Sequence, residues 1–226
     1  MKKFILFDND GVLVETEYWY YLANKQALAS LGVDLPRDRY LANMAEGISP
    51  WELAQAAGIH QAAIQSSREL RNRYYQESLR KEDIEIDGVL DTIAELSEHY
   101  RMAIITTAKR PDFELIHQDR RILEYMEFCL TVEDYSQAKP HPEPYLAGLS
   151  RFGAIPAETV VVEDSARGLK SAVAAGIECI VVDNAFTAGQ DFSVATKKIP
   201  SFRELPSAIR ALAHQDSAVL QGSAES

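Results

Sequence analysis

Asp8 and Asp10 stand two residues apart in FILFDNDGVLVETE, residues 4–17, and along an extended chain such positions project to one face. Two carboxylates so placed can act as nucleophile and proton carrier. The same residues also spell a turn, because Asn9-Asp10-Gly11 between apolar runs accepts the positive φ of a tight hairpin. Other polar residues follow short apolar runs, Thr106 after MAII and Glu163-Asp164 after TVVV, and Lys139 sits in the loop Ala138-Lys139-Pro140. Together they form an inventory for phosphoryl transfer. A phosphate monoester carries spread negative charge, so an anionic Asp8 approaches it only where cations neutralise both partners. Mg²⁺ suits that task, since it takes carboxylate, water and phosphate oxygens. Its expected side-chain ligands are Asp8 and Asp164, with Glu163 nearby, directly or through water. On this reading Asp8 attacks phosphorus to form an aspartyl phosphate. Asp10 protonates the leaving alkoxide and later deprotonates water. Lys139 compensates Asp8 and one phosphate oxygen, and the Thr106 hydroxyl donates to another.

Such residues converge only if the elements beneath them are arranged to bring them together. The apolar runs KKFILF, RMAII, TVVV and GIECIVV alternate with helical patterns, which predicts an α/β domain with a parallel sheet and function at the strand carboxyl ends. Residues 16–84 break the rhythm: they hold no convincing strand, and helices are expected over Thr16–Leu31, Trp51–Ala57 and His60–Arg80. So large a block is a separate helical subdomain rather than a crossover, reached through linkers near Val14–Glu15 and Asp83–Gly88. The expected division is a core of residues 1–15 and 85–214, a helical cap of 16–84, and a disordered tail at 215–226. A last helix is expected at Ser201–Ala213.

Formal charge is 23 − 34 = −11, so the field repels polyanions and nucleic acid is not an expected partner. No apolar run has the length of a signal peptide or membrane span. The expectation is a cytoplasmic monomer with no membrane partner. Cys129 and Cys179, in EFCLTV and IECIVV, are expected to be buried free thiols. The five histidines lack metal-ligand spacing and receive no role.

The constellation resembles the haloacid dehalogenase superfamily of phosphotransferases. The motifs run in order as Asp8-Asn9-Asp10-Gly11-Val12, Thr106, Lys139-Pro140, and Val162-Glu163-Asp164-Ser165 followed by Ala166-Arg167-Gly168-Leu169 and Ala174-Ala175-Gly176. The resemblance implies a Rossmann-like core with an inserted helical cap whose closure expels water and selects substrate. It makes the Asp-Gly turn part of a hairpin flap, so turn and reactive pair coexist. It also implies Asp8 as nucleophile, Asp10 as acid/base and main-chain-carbonyl metal ligand, Asp164 as the other protein ligand, and Thr106 and Lys139 on the transferring phosphate. The branch it resembles is that of β-phosphoglucomutase and small sugar-phosphate phosphatases. Two departures from the mutase pattern, Tyr20 in place of a histidine and Pro50 in place of a phosphate-binding arginine, favour hydrolysis by water. Asp10 argues against halide displacement, which needs no proton donor. A signalling receiver domain places its acidic pair early in a shorter chain.

The expected function is therefore a Mg²⁺-dependent phosphatase acting on a small phosphorylated metabolite, with a sugar phosphate the favoured class; a hexose-phosphate mutase and a catalytically silent binding protein are the alternatives. Thr107 and Lys109 are expected to donate to substrate, with a solvated loop charge the other reading of Lys109. Thr16 either meets substrate or, as the favoured reading, caps a helix beneath Tyr20. Arg71 and Arg73 either meet an anionic leaving group or lie on a solvated face. Tyr18, Trp19, Tyr20 and Tyr21 read as cap core rather than a sugar platform. Ser165 should cap the following helix, and Gly168 suits close approach to the rim.

Overall fold

The computed structural model describes residues 1–212. Six short strands, β1 (Phe4–Phe7), β2 (Arg101–Ile105), β3 (Phe128–Leu130), β4 (Thr159–Glu163), β5 (Glu178–Val182) and β6 (Lys197–Ile199), form one sheet in the order β3-β2-β1-β4-β5-β6. All pairings are parallel. The central strands are nearly continuous apolar runs because both faces of the sheet are covered. Ile5, Phe7, Ile104, Val160 and Val162 pack on one side with α5 (Val89–Ser97) and α6 (Arg110–His117). Leu6, Ala103, Ile105 and Val161 pack on the other with α7 (Glu143–Phe152) and α8 (Ala166–Ala174). The two edge strands lie outside the four alternating runs read from the sequence. β3 is only three residues long, and β6 is a polar edge in which two lysines face solvent and only Ile199 is buried.

Between β1 and α5 the chain is helical: α1 (Glu17–Ala29), α2 (Arg37–Glu46), α3 (Glu52–Ala56) and α4 (Gln61–Lys81). α1 and α4 pack against each other. These helices hold a core of their own, in which Tyr21, Leu28, Leu35, Tyr40, Trp51 and Ile64 are joined by Phe186 from the loop after β5. α2 has no counterpart among the expected helices, because only Tyr40 and Asn43 of its ten residues are buried and so sparse an apolar pattern gives no periodic signal. At the other end, residues 205–212 are helical after a short 3₁₀ turn at Phe202–Glu204. Ala213 and the expected tail lie outside the described residues.

The turn after β1 differs from the hairpin reading. Gly11 is the one residue there with positive φ, at 81°, so Asn9 and Asp10 do not adopt a primed hairpin turn. The Asn9 carbonyl instead accepts N–H groups from Val12, Leu13 and Val14, while Gly11 N–H donates to Val14. Val14 then bridges antiparallel to Glu85, and Glu15 N–H donates to Ile84 at 2.9 Å. The outgoing and returning chain thus run side by side between sheet and helical insert.

Candidate active site

Strand register sets the site. Phe7 lies level with both Ile104 and Val162, so the next residues, Asp8, Ile105 and Glu163, end three adjacent strands at one height. Residue parity then directs two side chains to a common face: Asp8 follows Leu6 and Glu163 follows Val161 on the side of α7. Lys139 enters this face from its loop and is buried. Its Nζ donates to Asp8 Oδ1 at 2.6 Å, Glu163 Oε1 at 2.7 Å and the Ile105 carbonyl at 2.9 Å. Burial disfavours the ammonium, but the Asp8 and Glu163 carboxylates outweigh that cost and raise its pKa.

Glu163 is saturated by the protein. Besides Lys139, its Oε1 accepts from Tyr145 at 2.7 Å, and its Oε2 accepts from Ser165 Oγ at 3.0 Å and from the Asp164 and Ser165 N–H groups. Despite burial, Lys139 and these donors hold its carboxyl below the usual range. Asp164 is the converse. It is buried, its Oδ2 has no hydrogen-bond partner, and burial with the Glu163 and Asp8 charges pushes its pKa well up. Burial, then Glu163, likewise raises Asp8 to about 7 against the pull of Lys139. One oxygen from each of Asp8, Glu163 and Asp164 lies within 4.8 Å of the others. An all-oxygen set with an unpaired buried carboxylate fits a hard divalent cation. Asp8 and Asp164 are the pair with capacity for it, whereas Glu163 is committed to Lys139, Tyr145 and Ser165.

Asp10 faces the cavity from the turn. Its carboxylate accepts from Thr106 Oγ1 at 3.3 Å and, in a shorter contact, from Thr16 Oγ1. Thr16 therefore does not cap α1 through its side chain. Its own φ and ψ are already close to helical (−116°, −18°), whereas a capping hydroxyl needs an extended backbone to reach the next turn. Thr106, besides, accepts from Ala108 N–H at 3.0 Å. Gly11 is required at the turn: a Cβ there would lie 2.1 Å from Asp164 Oδ2.

Thr107 and Lys109 line a cavity of about 370 Å³ together with Asp10, Thr16 and Glu17. A small recess beside it, also lined by Asp10, Glu17 and Thr107, reaches Asp8 and Asp164. Asp8, Asp10, Thr16, Thr106, Thr107, Lys109, Lys139, Glu163 and Asp164 thus lie together at one end of the sheet. Arg71 lines the larger cavity and is buried, while Arg73 on the same helix is exposed. Tyr20 also lines it, Tyr21 is buried in the cap core and Tyr18 is exposed. Ser165 caps α8, accepting from Gly168 N–H at 3.1 Å. Cys179 is buried and Cys129 partly so, both free.

Several residues at the site carried no expectation. Arg167, on the first turn of α8 just past the Ser165 cap, lines both cavities and donates to Thr107 Oγ1 at 3.4 Å. Glu17 sits between the Asp10 and Arg167 charges, where burial and Asp10 lift it to about 7. Asn184, just past the end of β5, donates to the Gly11 carbonyl at 3.3 Å and to Glu15 at 3.2 Å, pinning the turn. Its position at a strand carboxyl end is the signal by which it could have been found. His117 and Asn9, both buried, meet at 2.7 Å between Nε2 and Oδ1.

Known proteins resemble the chain in sequence and fold. Protein CbbY of Rhodobacter capsulatus is 28% identical over 213 residues, 88% of this chain and 92% of its own. The phosphorylated carbohydrates phosphatase of Thermotoga maritima is 30% identical over 185 residues, 78% of this chain and 82% of its own. The crystal structure of CbbY from Rhodobacter sphaeroides in complex with phosphate superposes with a TM-score of 0.77 at 28% identity, covering 91% of this chain and 96% of that one. Residues 5–182 match the family pattern of the haloacid dehalogenase-like hydrolases, and the chain belongs to that family.

Proposed function

We propose that the protein is a Mg²⁺-dependent phosphatase that hydrolyses a small phosphorylated metabolite, a sugar phosphate, through an aspartyl phosphate on Asp8. The observation that carries this reading is the Asp8–Lys139–Glu163 contact beside the unpartnered Asp164 carboxylate. Lys139 grips Asp8 Oδ1 and orients the carboxylate. In the first step an Asp8 oxygen bonds to phosphorus as the ester oxygen leaves with its electron pair, and Asp10 gives that oxygen a proton. In the second step water attacks phosphorus, Asp10 takes its proton, and the phosphorus–Asp8 bond breaks to release phosphate. Thr16 and Thr106 hold the Asp10 carboxyl for both transfers, and Thr107, Lys109 and Arg167 supply donors to substrate oxygens. Mg²⁺, held by Asp8, Asp164 and the Asp10 carbonyl, would neutralise the charge gathering on the transferring group. The helices of residues 16–84 act as a cap that limits water and substrate size. The two free thiols suit a reducing, cytoplasmic setting.

The test is release of phosphate from an aryl phosphate and a panel of sugar phosphates with Mg²⁺, beside an Asp8→Asn control. Turnover by the wild type and background by the control are expected. Equal background in both would support a silent binding protein, and dominant isomerisation of a sugar phosphate would support a mutase.

A further inference from the structure

Asn9 stands between Asp8 and Asp10, and its side chain takes the other side of the sheet. It follows Phe7 in parity, on the face whose core holds Phe7, Leu13, Phe113 and Ile116, and there it is fully buried. Its side-chain partner is His117, the last residue of α6, whose Nε2 donates to Asn9 Oδ1 at 2.7 Å. His117 is buried too, its ring centroid 4.6 Å from that of Phe113. Asn9 Nδ2 and His117 Nδ1 are both buried with no hydrogen-bond partner. An amide and an imidazole are thus held on an apolar face with half their polar atoms unused, a cost that two apolar residues of similar shape would avoid. What the polar pair supplies and an apolar pair does not is direction, because one hydrogen bond fixes the rotation of Asn9 and its distance from α6.

That direction is exerted on the turn that carries Asp10. The Asn9 carbonyl is the shared acceptor of the Val12, Leu13 and Val14 N–H groups. Beyond Asp10, the Gly11 carbonyl is held by Asn184 at 3.3 Å. Asp10 lies between these two clamps, with its carboxylate aimed at Thr16 and Thr106. We propose that His117 is a positioning residue for the proton transfers of Asp10, acting through Asn9 to hold the turn at the rotation that brings the Asp10 carboxyl to the leaving oxygen. His117 lines neither of the cavities that reach Asp10, so it acts from the far face of the sheet and touches no substrate. This rests on the proposed phosphatase reading and adds to it a side chain outside the reacting edge.

The experiment compares kcat/KM for phenyl phosphate and 4-nitrophenyl phosphate with Mg²⁺ in the wild type, His117→Phe, His117→Gln and the double variant Asn9→Leu/His117→Phe. Phenolate is the poorer leaving group and depends more on a proton from Asp10 than nitrophenolate does. His117→Phe should therefore lower kcat/KM for phenyl phosphate by about tenfold or more, with a smaller loss for 4-nitrophenyl phosphate. His117→Gln, whose amide N–H can replace the Nε2 donor, should restore part of the loss. The double variant removes both polar groups, so its urea midpoint should be no lower than that of His117→Phe, yet it should show the same selective loss. An equal loss on both esters, no loss, or a Gln variant no better than the Phe variant overturns the proposal. Hydrolysis of neither ester by the wild type would instead defeat the phosphatase reading. Amide exchange would then still decide the role of the pair at the turn: in the double variant Val12, Leu13 and Val14 should exchange about tenfold or more faster than in the wild type while β1 keeps its protection, and equal rates would overturn it.

Discussion

Gly168 on the first turn of α8 offers a one-methyl test of the site. A Cβ built there lies 1.7 Å from Glu163 Oε1, 1.9 Å from Cδ and 2.2 Å from Oε2. Real Cβ contacts do not fall under 3.0 Å, so in Gly168→Ala the carboxylate must retreat by at least 3.0 − 1.7 = 1.3 Å. Glu163 is fully buried and its bonds to Lys139, Tyr145 and Ser165 are 2.7, 2.7 and 3.0 Å long. A displacement of that size carries at least one of them out of range. Overpacking costs about 1–3 kcal/mol and a lost charge-assisted bond about 1.5–3 kcal/mol. Their sum is a destabilisation of roughly 4 kcal/mol. Were Glu163 elsewhere, glycine to alanine in a helix would instead stabilise by about 1 kcal/mol, so the sign alone discriminates. Because Glu163 shares Lys139 with Asp8, the proposed nucleophile shifts too, and turnover should fall about 100-fold. Urea unfolding and aryl phosphate hydrolysis with Mg²⁺ measure both. Unchanged or increased stability with wild-type turnover would refute the reasoning.

The buried charges give three more expected outcomes. Lys139→Met leaves Asp8 and Glu163 buried without their cation; a carboxyl already lifted to about 7 binds a proton in the fold that the unfolded chain releases, so the deficit grows as pH rises from the ordinary carboxylate range through 7. Urea midpoints should lie closest to wild type near the acid end and fall short by roughly 3–5 kcal/mol at the alkaline end; a deficit flat with pH would contradict this. His117 is held at about 4, below its ordinary 6.5, by burial and then by Arg120. The unfolded state therefore binds the extra proton between those values, and His117 contributes stability at neutral pH that is lost as pH falls from 6.5 towards 4, by about 3 kcal/mol in all. In His117→Gln, unfolding titrations should lack that part of the slope. Asp164→Asn removes the unpartnered buried carboxylate, so the metal-free protein should melt higher than wild type, while the rise in Tm on adding Mg²⁺, present in wild type, should vanish. A Mg²⁺-induced rise equal to that of the wild type would exclude Asp164 as a ligand.

What is legible in the sequence, and what is not, divides along the sheet. Asp8, Thr106 and Glu163 are legible because a parallel sheet brings successive strand ends to one edge whatever the intervening chain does. Lys139 has no strand beneath it and is legible only through its motif; the structure delivers it to the level of Ile105, Asp8 and Glu163. The side chain of Thr16 escapes the favoured reading because its local position permits a cap, whereas the competing acceptor, Asp10, lies across the turn and its geometry depends on Gly11. The helical insert conceals more. Arg71 and Arg73 are equivalent in a charge pattern, and only the packing of α1 against α4 turns one toward Tyr20 and Asn24 and the other to solvent. Docking of the polar α2 depends similarly on Tyr40 meeting Tyr21 and Phe186, residues far away in sequence. The strand-end groups Asp8, Thr106 and Glu163 are therefore set by a regular lattice of backbone hydrogen bonds, while Arg71 and Tyr20, which line the cavity from the insert, are set by side-chain packing between helices. That packing can change one residue at a time without disturbing the register that holds Asp8 against Lys139, which is the physical reason one fold with one arrangement of strand ends can carry different functions.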